Sequence, residues 1–179
     1  SARRLEREGM PAGRDAAAVP LALEALARGE SLWVREASPS MLPLIRPGDE
    51  LQLAPLDSRR VGRGVLIAYE RGAQLVVHRV MASSGSGVVA KGDALVSPDP
   101  LVPWEQVIAG VVALRRPNGR LVDLGAFPWP LLNRLLGWIA SMGSRLSMET
   151  DRTAQPRRSR RLVWKTLRLP FYLVRLVLR

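Results

Sequence analysis

A chain of 179 residues, 47% hydrophobic and 24% charged, has the composition of an ordinary globular protein and enough length for one sizeable core. It contains no cysteine, which excludes disulfides, zinc–thiolate sites and a cysteine nucleophile. The formal net charge of +11 is concentrated at one end: Arg152–Arg179 carries nine Arg or Lys and no acid, leaving 18 basic against 16 acidic residues before it. The basic character therefore belongs to a tail and not to the body. The apolar content of that tail decides between nucleic acid and an anionic membrane as its partner.

Residues 1–15 are charged and contain glycine, and read as a flexible leader. A short helix is expected over Pro20–Arg28, because proline suits a first helical turn and Gly29 suits the C-terminal cap. It is too short to span a bilayer and carries Glu24. From Ser31 the pattern changes to short β segments. Strands are expected at Ser31–Glu36 and Glu50–Ala54, the second entered through the turn Pro47-Gly48-Asp49. Val65–Tyr69 and Gln74–Met81 flank Arg71-Gly72 and read as a hairpin. The turn residues of Ser83–Gly87 lead into Val88–Lys91, and Val107–Arg115 and Arg120–Asp123 flank Pro117-Asn118-Gly119, a strong hairpin signal.

Many short strands with frequent turns predict a mainly β body with a coiled sheet or barrel-like form. That body runs over 16–124, with the short helix at its start. A helical stretch follows Pro128-Trp129-Pro130, giving an amphipathic segment over 125–148 in which Arg134 is the only charge as far as Ser144. It reads as an interfacial helix or as one packed on the body. A polar linker covers 149–160, and a second helical segment covers 161–179, with a kink at Pro170.

His78 is the only histidine, and the only lysines are Lys91 and Lys165. Alternation along Leu75-Val76-Val77-His78-Arg79-Val80 points His78 away from the face of Val77 and Arg79. Ser40 lies between prolines in Ser38-Pro39-Ser40-Met41-Leu42-Pro43, where the restricted backbone would present a hydroxyl rigidly. Read alone, the first fits a structural strand histidine and the second a Ser/Pro loop.

Three blocks in order, however, resemble the signal peptidase I superfamily. Ser38-Pro39-Ser40-Met41-Leu42-Pro43-Leu44-Ile45-Arg46-Pro47-Gly48-Asp49 is similar to its Ser-Met-x-Pro…Gly-Asp box. Val76-Val77-His78-Arg79-Val80 is similar to the strand that carries the base, and Lys91-Gly92-Asp93-Ala94-Leu95-Val96-Ser97-Pro98-Asp99 is similar to the Lys-Gly-Asp…Asp box. Bacterial housekeeping members have a lysine in the second block. Archaeal, endoplasmic-reticulum and spore-type members have a histidine there, so this chain resembles the histidine type. Two departures are Ser38, where Gly-x-Ser-Met is common, and Ala94, where an Asn is frequent.

The resemblance implies a serine endopeptidase over 16–124, with Ser40 as nucleophile, His78 as general base and Asp99 holding the imidazole tautomer. It implies that the Ser38 hydroxyl and the Ser40 N–H bind the oxyanion, and that Asp93 is a supporting acid near the site. Met41 and Leu42 are expected to pack. No cofactor or metal is called for. The substrate would be a leader-bearing peptide or preprotein, bound extended against a strand edge.

In 161–179 basic residues stand at 161, 165, 168, 175 and 179, with Tyr172 filling the gap, while leucine, valine, Trp164 and Phe171 cover the rest. That pattern suits an anionic membrane surface and not nucleic acid, and predicts peripheral membrane association. Two rival readings are an SOS-repressor-like self-cleaving domain, with Ala12-Gly13 as its bond, and an inactive membrane-peripheral binding protein.

Overall fold

A computed structural model describes residues 10–11, 18–72, 74–126 and 128–138. Helix α1, Ala18–Ala27, ends as its sequence predicts. Gly29 takes a φ of +78°, and the N–H groups of Gly29 and Glu30 return to the carbonyls of Leu26 and Ala25 at 3.0 Å each.

Among the described residues there are nine strands, most of them bounded as the turn chemistry predicts. They are β1 Met10–Pro11, β2 Leu32–Arg35, β3 Glu50–Ala54, β4 Leu66–Arg71, β5 Gln74–Ser84, β6 Gly87–Lys91, β7 Val102–Pro103, β8 Val107–Arg115 and β9 Leu121–Asp123. They form one open sheet ordered β1-β2-β3-β8-β4-β5-β6-β7, with β9 also paired to β8. Every pairing is antiparallel except β1 with β2. The mainly β class is thus as the sequence predicts, and the sheet does not close into a barrel. Two short strands, β1 and β7, carry too little pattern to be read in advance. Strand β5 runs three residues past its expected end, through a register irregularity between Val80 and Ala82.

Strands β4 and β5 are apolar on both faces, and this lets the curled sheet cover two cores. One face contributes Leu66, Ala68, Leu75 and Val77 to a cluster with α1, β2, β3 and β8. The other contributes Ile67, Tyr69 and Val80 to a smaller cluster with Val88, Ala90 and Val102. Each fully buried aliphatic side chain contributes about 1.5–3 kcal/mol. His78 projects to the smaller core's face, and Arg79, its neighbour in sequence, into the opposite one.

Arg79 has no exposed surface, and its guanidinium forks onto both carboxylate oxygens of Asp93 at 2.8 Å. Its remaining nitrogen reaches the Gly64 carbonyl at 3.0 Å and Asn133 Oδ1 at 2.8 Å. Asn133 belongs to a helix over 129–138, so this stretch is packed on the body. The approach is close: a Cβ on Gly64 would lie 2.2 Å from the Asn133 carbonyl oxygen. Leu136 and Trp129 are buried on the same side, while Leu131, Leu135 and Trp138 stay exposed. Among the described residues no helix is long and apolar enough to cross a membrane. Apart from Met10 and Pro11, the expected leader over 1–15 lies outside the described residues, as do the end of the 125–148 segment, the linker 149–160 and the segment 161–179.

The Arg79–Asp93 pair generates a prediction. In Asp93→Asn the guanidinium keeps its buried charge and loses its counter-charge, which typically costs about 3–5 kcal/mol. Thermal or urea unfolding of the variant should show that loss, and wild-type stability would refute the structural role of the pair.

Candidate active site

The loop after β2 is built by carboxylates and by backbone pairing. The backbone of Glu36 exchanges hydrogen bonds with the Gly48-Asp49 turn: its N–H donates to the Asp49 carbonyl and its carbonyl accepts from Gly48, both at 2.7 Å. Gly48 adopts a φ of +92°, a region open chiefly to glycine. The Asp49 carboxylate accepts the Arg46 N–H at 2.7 Å and pairs with the buried Arg116 guanidinium. Burial pushes the Asp49 carboxyl above its ordinary range, and these donors only partly offset it.

Glu36 is itself buried, and its Oε1 accepts the Ser38 N–H at 2.7 Å. Burial raises its carboxyl, against the opposing pull of the Ser38 N–H, His78 and the Ala37 N–H. Ser38 Oγ in turn accepts the Ser40 N–H at 3.0 Å. The two donors expected to serve an oxyanion therefore lie side by side, bonded to each other, with the Ser38 hydroxyl proton left to be aimed. Ser40 is half-buried, Met41 is fully buried in the larger core, and Leu42 is partly exposed.

The loop after β6 closes on this one. The Ala94 N–H donates to the Ser40 carbonyl at 2.8 Å, and the Asp99 N–H returns to the Ala90 carbonyl at 2.8 Å. Gly92 sits between the two loops and the imidazole. A Cβ there would lie 2.7 Å from the Ser40 carbonyl oxygen and 3.0 Å from His78 Nε2. Only glycine leaves that space open.

His78 is 1% exposed, and its Nδ1 lies 2.5 Å from Asp99 Oδ2. The same oxygen accepts the Tyr69 hydroxyl at 2.8 Å, and Asp99 Oδ1 accepts Arg71 Nη1 at 3.0 Å. Burial works to raise the Asp99 carboxyl. The hydrogen bonds from His78 and Tyr69, with the charges of His78 and Arg71, outweigh it and hold the group below its ordinary value. An ionised carboxylate only accepts, so in the neutral ring Nδ1 carries the hydrogen and Nε2 is the acceptor. That free acceptor is the atom facing Gly92 and the Ser40 loop. Among the described residues no hydrogen bond joins the Ser40 hydroxyl to Nε2, and such contacts often form only once substrate is bound.

The structure thus brings Ser38, Ser40, His78 and Asp99 to one region. It sets Asp93 on Arg79 across the sheet. Sequence reading missed Glu36, Tyr69 and Arg71. An acid two residues before Ser38 is a residue type that captures turn N–H groups, and was a usable signal. Tyr69 looks like core, because its polar partner lies 30 residues away. Compared with protein-family models, with curated proteins and with solved structures, the chain matches none.

The depressed Asp99 value sets a pH dependence. A carboxyl whose native pKa lies below its unfolded value of about 3.9 adds stability above that pH and loses it as pH falls through the native value. Asp99→Asn should therefore melt below wild type at pH 7, with the gap closing below about pH 4. A gap that is constant with pH, followed by calorimetry, would contradict the assignment.

Proposed function

We propose that this chain is a signal-peptidase-like serine endopeptidase that cleaves a leader or signal sequence from an exported peptide. Ser40 Oγ attacks the scissile carbonyl while its proton passes to His78 Nε2. The tetrahedral oxyanion is met by the Ser40 N–H and the Ser38 hydroxyl, which turns from its mutual contact to face it. Collapse breaks the C–N bond, the imidazolium protonates the leaving amine, and an acyl ester remains on Ser40. Water, deprotonated by the same imidazole, then releases the acid and restores Ser40. Asp99 stays ionised and holds the tautomer throughout.

The observation that carries this reading is the 2.5 Å His78–Asp99 contact, which turns an acceptor nitrogen toward the loop of Ser40 through the gap at Gly92. The outer edge of β2 also supports it. Strand β2 runs straight into the Ser38–Ser40 loop, and its outer edge already accepts an added strand there, since β1 pairs with Val34 and Arg35. An extended substrate taking the place of β1 would lead its chain to the hydroxyl. Leu42 and Leu95 are partly exposed beside the loops, and suit small apolar side chains.

A second reading, self-cleavage, is favoured by β1 itself. Met10 and Pro11 pair in parallel with Val34 and Arg35 on that edge, and Ala12-Gly13 follows directly. Intact-mass analysis separates the two. Concentration-independent appearance of a species cut after Ala12, absent in Ser40→Ala, belongs to self-cleavage, and turnover of an added peptide to the endopeptidase.

With a leader peptide as substrate, Ser40→Ala and His78→Ala should abolish cleavage. Ser38→Ala should lower kcat by roughly 10–1000-fold, the range of a lost oxyanion donor. Asp99→Asn should cost around ten-thousandfold. Full turnover by Ser40→Ala would end the proposal.

Peripheral membrane association is part of the same reading. The exposed Leu131, Leu135 and Trp138 recur along one side of helix 129–138, and Arg63, Arg134 and Trp138 line a shared concavity beside it. The nine basic residues of Arg152–Arg179 add about 1 kcal/mol each where they lie near an anionic surface. Deleting Arg152–Arg179 should release the protein from anionic liposomes in flotation and leave cleavage of a short soluble peptide intact. High salt should weaken binding of the full chain without abolishing it. Retention on duplex DNA, with a steep loss in salt and no liposome binding, would overturn the membrane reading.

A further inference from the structure

We infer that Tyr69 and Arg71 are positioning residues that set the proton affinity of the His78–Asp99 pair, acting through the Asp99 carboxylate. The inference rests on the peptidase reading above for its purpose, and on the geometry alone for its substance. Tyr69 and Arg71 are two apart on β4, so alternation sends both side chains to the face that His78 occupies on β5.

The ring of Tyr69 is 1% exposed in the smaller core, and a phenol placed there must find an acceptor. Its acceptor is Asp99 Oδ2 at 2.8 Å, with His78 Nδ1 3.3 Å from the same hydroxyl. Burial, and then the bond to Asp99, push the phenol above its ordinary range, so it donates and stays neutral. Arg71 sits on the other carboxylate oxygen at 3.0 Å from a side chain that is 55% exposed.

The consequence follows from counting donors on one carboxylate. If Asp99 faced the imidazole alone in a buried site, its full charge would stabilise the imidazolium. A ring that stays protonated cannot accept the proton of a serine. Tyr69 spends one lone pair of the very oxygen that meets Nδ1, and Arg71 places a positive charge on the other. Both weaken the hold of the pair on a proton while keeping the carboxylate ionised and its plane fixed. The carboxylate thereby still orients the ring through Nδ1, while it stabilises the imidazolium less than it would alone.

Other charges around His78 are common to all the variants below. Glu36, buried just beyond the end of β2, interacts with it electrostatically. Arg79 and Asp93 compensate each other on the opposite face, and Lys91 on β6 stands in register with Arg79. None of these changes when β4 is altered.

His78 is the only histidine, so the full-length protein labelled with 15N-histidine reports one imidazole and no other. Tyr69→Phe keeps the ring and removes only the hydroxyl. The titration midpoint of its Nδ1 and Nε2 resonances should rise by about half to one pH unit, as expected for one lost hydrogen bond. Arg71→Gln should raise it less, with an effect that shrinks in salt because the guanidinium is exposed, and Arg71→Lys should restore the wild-type midpoint. In cleavage assays the acidic limb should move in the same direction, with the change in kcat and not in KM.

A midpoint that stays put or falls in folded Tyr69→Phe overturns the inference. If that variant does not fold, Arg71→Gln decides, since its side chain is at the surface. The resonances are read without substrate, so absence of peptidase activity would remove the proposed function and leave this measurement intact. Normal cleavage with an unmoved midpoint would remove the inference alone.

Discussion

Consecutive residues of one strand point to opposite faces, and on β5 this places His78 in one core and Arg79 in the other. Arg79 cannot be buried without a counter-charge, and it takes Asp93 bidentately, with both side chains fully enclosed. Meeting that demand draws the loop after β6 along the middle of β5, where Lys91 pairs with Arg79. Gly92, one residue before Asp93, is then pressed against His78 Nε2, and Ala94, one residue after, donates to the Ser40 carbonyl. A buried ion pair of this kind is weak evidence of net stabilisation, because desolvation opposes it. Its effect here is geometric. It sets which residues of the two loops meet the imidazole.

The Ser38–Ser40 loop is held by a separate set of interactions, leading from the Gly48-Asp49 turn through Glu36 to Ser38 and then Ser40. Each link spends a backbone donor on a carboxylate, carbonyl or hydroxyl, so a segment interrupted by proline still has its polar groups satisfied. The cost is the burial of two acids, Glu36 and Asp49, both pushed above their ordinary range by desolvation. Asp99 is the contrast. It is also enclosed, yet three donors hold it below its ordinary value. Glu36 and Asp99, which both interact electrostatically with His78, are thus perturbed in opposite directions.

Helix 129–138 links this centre to the periphery. Asn133 reaches the same arginine that holds Asp93, so the segment leading to the basic tail is anchored on β5 itself. Under the proposed membrane reading, the exposed Leu131, Leu135 and Trp138 would carry the body to the lipid surface. Gly64 lets the helix approach the sheet backbone without an intervening side chain.

Local order was legible in the sequence. Turn chemistry at Gly29, Gly48, Gly72 and Asn118-Gly119 placed the ends of α1 and most strands, because each signal acts through the backbone of a few adjacent residues. The residue types of the site were legible too, since the lone histidine and the Ser-Pro-Ser loop are rare enough to be noticed. The two hairpin pairings, β4 with β5 and β8 with β9, were legible as well. The long-range strand order was not, nor were most of the partners it creates. The resemblance named Asp99 for His78, across 21 residues, but not Tyr69 across 30 or Arg71 across 28. Asn133 meets Arg79 across 54. Nothing in the neighbourhood of Tyr69 distinguishes it from a core aromatic, and nothing around Asp93 separates a turn aspartate from the counter-charge of a buried arginine. Those roles were decided only when the sheet closed its register, because a carboxylate takes whatever donors the folded backbone delivers to it.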